Sequence, residues 1–191
     1  MVSVTIFSVV MTMSLGALLA MAESNRRVET MKSVINTLNF ALDSMSRSIR
    51  TGTNYRCGSA GATPLSCAST PSTFLTYLSV QGTGGPGTPV QVSYCRGNGT
   101  SCSASGTAIL RALDNGTFAP ITSKEVVIET LDFYVVGAEG APDTIQPKVT
   151  ILLTGYVMVS GGGTSIAACG VTAQCSKFEL QTSVTQRIYD Q

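Results

Sequence analysis

The chain has 191 residues, 12 Lys plus Arg against 11 Asp plus Glu, no His and no Trp. A net charge of +1 gives no basic field for nucleic acid, so no nucleic-acid partner is expected. Without His, neither Ser–His nor Cys–His catalysis nor a His-bearing zinc site is available within the chain.

Met1 to Ala22 carries no ionisable side chain. As a helix, these 22 residues reach about 33 Å, enough to cross the hydrocarbon of a bilayer. Val4, Ile6, Phe7, Val10, Leu15, Leu18 and Leu19, with the neighbouring valines, favour insertion by roughly 4 kcal/mol before the polar residues are counted. Gly16, among Ser, Thr and Ala, lets another helix approach closely. Ala20-Met21-Ala22 matches a signal-peptide cleavage pattern. No basic stretch precedes the run, however, and the run is longer than a signal peptide's apolar region. The expectation over 1–22 is therefore a membrane or filament-core helix.

Glu23 to Thr51 contains no Gly and no Pro. Val28, Met31, Ile35, Leu38, Leu42, Met45 and Ile49 recur at alternating steps of 3 and 4, which predicts an amphipathic continuation of the helix over 23–52. The heptad spacing suits a self-associating coiled coil or a stripe laid on a sheet. The β-rich remainder favours the sheet. Arg47 and Arg50 in the last turn, with Gly52 beyond, suit a helix C-terminus. An unbroken helix from about residue 3 to 50 would be roughly 70 Å long, more than a small domain can cover.

From residue 53 to 191 the texture turns to Gly, Ser and Thr with short apolar alternations. Strands are expected at Thr73–Val80, Pro89–Cys95, Thr107–Asp114, Val126–Val136, Lys148–Val159 and Phe178–Tyr189. Within the fourth, the odd-numbered Val127, Leu131, Phe133 and Val135 form the apolar face. In the fifth, Val149, Ile151, Leu153, Val157 and Val159 do so. In the last, Phe178, Leu180, Val184 and Ile188 point one way and Glu179, Gln181, Ser183, Thr185 and Arg187 the other. The fold class is α+β, with an antiparallel sheet whose last strands form a meander.

Cysteines stand at 57, 67, 95, 102, 169 and 175. Pairing sequence neighbours (Cys57 with Cys67, Cys95 with Cys102, Cys169 with Cys175) is one of 15 arrangements. Zinc would need four cysteines from separate loops, with no CxxC among them. Disulfides imply an oxidising compartment and so a domain outside the cell, although Arg26 and Arg27 follow the apolar run. The acids Glu125, Glu129, Asp132, Glu139 and Asp143 are scattered, so the chain reads as a non-enzyme without cofactor or metal.

The stretches VSVTIFSVVMTMSLGALL (Val2–Leu19), LNFALDSMSRSIRTGTNYRC (Leu38–Cys57) and FELQTSVTQRIYD (Phe178–Asp190), in this order, resemble the type IV pilin and pseudopilin superfamily. The family's acid within the apolar run has no counterpart here before Glu23. The resemblance implies a pilin-like fold and a structural subunit of an extracellular type IV pilus or type II secretion pseudopilus. Such a subunit sits in the bacterial cytoplasmic membrane as a single-pass protein with its C-terminal domain outside. An inner-membrane machinery then assembles it with copies of itself and related pilins. The alternative is a membrane-anchored extracellular binding or adhesin domain that does not polymerise. It would present the loops Cys57–Cys67 and Cys95–Cys102 to a ligand.

Overall fold

A computed structural model describes residues 2–58, 65–79, 89–114, 116–139, 145–160 and 174–187, the side chains of 2, 26, 27, 30, 158–160 and 174 excepted. Among the described residues a single helix, α1 (Val2–Arg50, 49 residues), is followed by nine strands. They are β1 (Gly52–Cys57), β2 (Phe74–Ser79), β3 (Val90–Asn98), β4 (Ser101–Cys102), β5 (Ala108–Leu113), β6 (Ala119–Pro120), β7 (Val126–Val136), β8 (Lys148–Ser160) and β9 (Gln174–Thr185). With no Gly between Gly16 and Gly52 and no Pro within the helix, nothing interrupts the backbone ladder of the amphipathic half.

The strands form two antiparallel sheets, not one. The first has the order β1-β2-β3-β5-β6, with β4 added to β3; the second is the meander β7-β8-β9. The second sheet follows from the sequence. Leu131, Phe133 and Val135 stand opposite Leu153, Ile151 and Val149, and all six are buried. The expected odd face of β7 fails at Val127. A bulge lies between Ile128 and Thr130, so the inward parity switches from Val126 and Ile128 before it to Leu131 and Phe133 after it. Val127 is buried but stands outside this core cluster. Glu129 occupies the bulge. Gly155 is opposite Ile128, where a Cβ would collide with the Val127 carbonyl and lie 2.8 Å from Phe178 Cζ.

The final strand begins and ends about four residues before its expected bounds. At Gln186 the chain leaves the sheet: its N–H donates to the Pro147 carbonyl at 2.9 Å. Ile188 lies outside the described residues, whereas Val184 is buried, and Glu179, Gln181, Ser183, Thr185 and Arg187 are exposed as expected.

The helix lies against β8, β9 and β2. Its buried positions are Val34, Leu38, Ala41, Met45 and Ile49. This corrects part of the expected stripe. Leu42 and Met31 are half-buried, Ile35 is 45% exposed and Val28 is 50% exposed. A strict seven-residue repeat drifts ~20° per heptad around a straight helix. Counting back from Ile49, Leu42 is rotated ~20°, Ile35 ~40° and Val28 ~60° out of the contact, while Val34 and Ala41 rotate into it. A coiled coil supercoils to absorb that drift; a helix laid on a sheet does not.

The two sheets are joined at β7. The N–H groups of Ser72 and Phe133 donate to each other's carbonyls at 3.0 and 2.8 Å, and Cys67 N–H donates to Val135 O at 2.8 Å. Ile128 N–H donates to Thr107 O at 2.9 Å, so the other end of β7 is held beside β5.

Candidate functional site: an exposed apolar half-helix and its anchor

Among the described side chains of α1, the first half-buried one is Met31 and the first buried one Val34, so roughly 40 Å of helix precedes its contact with the domain. Within it, Ser3–Asn25 is a 23-residue span of mean hydropathy 2.1, none of it buried and long and apolar enough to cross a membrane. It extends the expected 1–22 by three residues at its C-terminal end. All the expected side chains are exposed: Val4 70%, Ile6 60%, Phe7 64%, Val10 56%, Leu15 56%, Leu18 63% and Leu19 71%. They surround the helix instead of forming one stripe. Nothing lies within 4 Å of the place a Cβ on Gly16 would take.

Two polar side chains of the span, Thr12 and Ser14, turn inward on the helix. Thr12 Oγ1 donates to Val9 O at 2.9 Å and lies 3.1 Å from Ser8 O; Ser14 Oγ donates to Val10 O at 2.8 Å. These hydroxyls need no water, so the span presents a surface suited to an apolar surrounding. At about 2 kcal/mol per large side chain, the eleven exposed apolar residues from Val4 to Met21 leave on the order of 20 kcal/mol unrealised in water.

The far end of the helix is fixed by groups the sequence did not single out. The last carbonyls of a helix lack intrahelical donors. Here the Tyr55 hydroxyl donates to Ile49 O at 2.5 Å and lies 2.8 Å from Gly52 O, while Arg187 N–H donates to Arg50 O at 2.9 Å. The Tyr77 hydroxyl reaches Ser48 Oγ at 2.7 Å. The rings of Tyr55, Tyr77 and Tyr94 follow one another at centroid distances of 5.7 and 6.2 Å, in the stacking range. Burial pushes the Tyr77 phenol well above its ordinary value, and the Tyr94 phenol adds to the shift. Gly52 sits where a Cβ would strike the Tyr77 ring.

Of the expected disulfides, Cys57–Cys67 and Cys95–Cys102 are formed. Cys175 is also disulfide-bonded; its expected partner Cys169 lies outside the described residues, and no cysteine among those described is free. The Cys57–Cys67 bridge links β1 to the segment that runs along β7. Ser66 N–H donates to a Glu139 carboxylate oxygen at 2.9 Å, Ser66 Oγ donates to the other, and Ala138 N–H donates to Ser66 Oγ at 3.0 Å. The Ser66 hydroxyl, and then its N–H, hold Glu139 below the usual carboxylate range. Glu129, Asp132 and Glu125 do not converge on it, and among the described residues no three metal-ligating side chains cluster.

Beside the last turns of α1, Asp43, Ser46, Arg47, Arg50, Thr51 and Arg187 line a cleft of about 650 Å³. Phe40, Asp43, Ser44, Arg47, Ser48 and Arg111 line a neighbouring one of about 370 Å³.

Comparison with protein-family profiles, with characterised proteins and with solved structures returns no match. What is established is an α+β chain with antiparallel sheets, disulfide-bounded loops and one apolar helix able to span a membrane.

Proposed function

We propose that the chain is a structural, pilin-like subunit of an extracellular filament of the type IV pilus or type II secretion pseudopilus kind. The observation that carries this reading is the continuity of α1: 49 residues without a break, the first half apolar all round and outside the domain, the second half bound to it. A helix of that kind is buried either in lipid or among other helices. Exchanging one for the other loses little hydrophobic free energy, because both are apolar, and close packing by Gly16 and the Ser, Thr and Ala residues then holds the bundle. The subunit waits in the cytoplasmic membrane with its disulfide-bonded domain outside, and an inner-membrane machinery moves it into a helical filament with copies of itself and related subunits. The rigid attachment of the helix end, through Tyr55, Tyr77 and Arg187, supports a mechanical role: force on the helix passes straight to both sheets.

Electron microscopy of sheared cell-surface material, with an antibody to the chain, tests the proposal. Labelled filaments are expected, and Leu18→Asp should abolish them, since a carboxylate within an apolar bundle costs several kcal/mol. Label confined to the membrane would favour the non-polymerising binding domain instead. Filaments unaltered by Leu18→Asp would refute burial of the helix.

A further inference from the structure

We infer that two copies of the chain meet along α1 with a five-turn stagger, Glu29 of one copy pairing with Arg47 of the next at the arginine-lined clefts. The inference rests on the filament reading and names the contact that sets the filament's axial register.

The apolar half has no charge, so a bundle of such halves packs closely without a group that distinguishes one axial position from another. Register then depends on the charged half. Four guanidiniums (Arg47, Arg50, Arg111 and Arg187) line the two clefts with a single acid, Asp43, 3.5 Å from Arg47. Among the described residues Arg50 and Arg187 have no ion-pair partner, and the buried Arg111 Nε has no hydrogen-bond partner. Phe40, at the same place, is 75% exposed. Arginines around an exposed aromatic are the composition of a protein interface. Asp43 in their midst and a net charge of +1 disfavour a polyphosphate. A lipid headgroup is too distant: from Asn25, where the apolar span ends, the helix rises about 33 Å to Arg47, several Debye lengths.

The complement is on the same helix. Glu29 is exposed and has no ion-pair partner among the described residues. It precedes Arg47 by 18 residues. That is about five full turns, so both point in one direction about 27 Å apart. If a second, parallel copy is raised by that distance and turned by about half a turn about the helix axis, its Glu29 comes level with Arg47 of the first and faces it. At the same displacement the exposed Val28 and Ile35 of the first copy come level with residues 10–17 of the second, which are uncharged. The same displacement thus sets uncharged residues, not charged ones, level with that part of the first copy. Because the two copies contribute different patches, the contact repeats without closing.

Charge reversal tests it in cells that assemble the filament. Glu29→Arg and Arg47→Glu alone should each lower the filament yield at least about tenfold, and the double variant should recover most of it. Thermal melting of the detergent-solubilised variants should stay at the wild-type value, since both side chains are exposed. A photo-crosslinking residue at position 29 should join a peptide of a second copy that contains Arg47 or Arg50. Singles that assemble normally, or a double variant without recovery, overturn the contact while leaving the filament reading intact. A wild-type chain that forms no filament overturns that reading, and this inference with it.

Discussion

Tyr77, on β2, donates its phenolic proton to Ser48 Oγ, on the helix, at 2.7 Å, with its ring between those of Tyr55 and Tyr94. With the Tyr55–Ile49 bond, this bond crosses from the first sheet to the helix and helps to decide the angle at which the projecting half leaves the domain.

Replacing it tests both its strength and its titration. At neutral pH Tyr77→Phe should cost about 1 kcal/mol, the usual net value of such a bond, read from denaturant unfolding. The folded phenol titrates well above its ordinary value of 10.0, chiefly through burial. The unfolded chain thus releases this proton first, so the stability from Tyr77 is whole below pH 10.0 and is lost as pH rises beyond it. Wild-type melting temperature should fall faster above that pH than that of Tyr77→Phe. Parallel alkaline profiles would contradict the burial.

The rotation of the helix makes a second test. Met45 is fully buried and Val28 is half exposed, although both belong to one heptad pattern. Met45→Ala should destabilise the solubilised chain by about 2–5 kcal/mol, and Val28→Ala should stay within about 0.5 kcal/mol. Equal effects would mean that the stripe binds as the bare periodicity suggests.

That contrast shows how much was legible before the structure. The long helix, the meander β7-β8-β9 and the local cysteine pairs at 57/67 and 95/102 are short-range features: each is written in spacing along a continuous stretch of chain. The drift of Ile35 and Val28, ~20° per heptad, depends on what the helix touches, and no spacing reveals that. β1 was missed because Asn54, at φ 55°, interrupts its alternation within six residues. The bulge at Glu129 likewise scrambles a period-two pattern that reads cleanly to either side. The joining of the two sheets rests on the pairing of Ser72 with Phe133, two residues far apart in sequence. Of the candidate site, the apolar run was visible residue by residue. Its anchor was not, because Tyr55, Tyr77 and Arg187 are ordinary residues until the fold brings them to one helix end.

The Cys57–Cys67 bridge closes a short loop that joins the two sheets. Removing it as a Ser pair should cost about 2–3 kcal/mol, seen as a lower denaturant midpoint. Peptide mapping without reductant should link 57 to 67 and 95 to 102. Other pairings among these four would contradict the strand register around them.

Glu139 beside Ser66 supplies an acid-side prediction. Its folded pKa lies below the ordinary 4.5, first through the Ser66 hydroxyl and then through the Ser66 N–H. The sign is opposite to that of Tyr77: the contribution is present above 4.5 and is lost as pH falls through the folded value. Carboxyl chemical shifts should report Glu139 titrating below the ordinary 4.5, and Ser66→Ala should return it towards that value. An unchanged midpoint in Ser66→Ala would contradict the bond.

Burial of Ser3–Asn25 in something other than water is the claim on which the rest depends. Sedimentation of the full chain with and without detergent tests it most directly. The account predicts that, once detergent is removed, the chain leaves solution with lipid or as assemblies. A monodisperse 19.9 kDa species in plain buffer would contradict it.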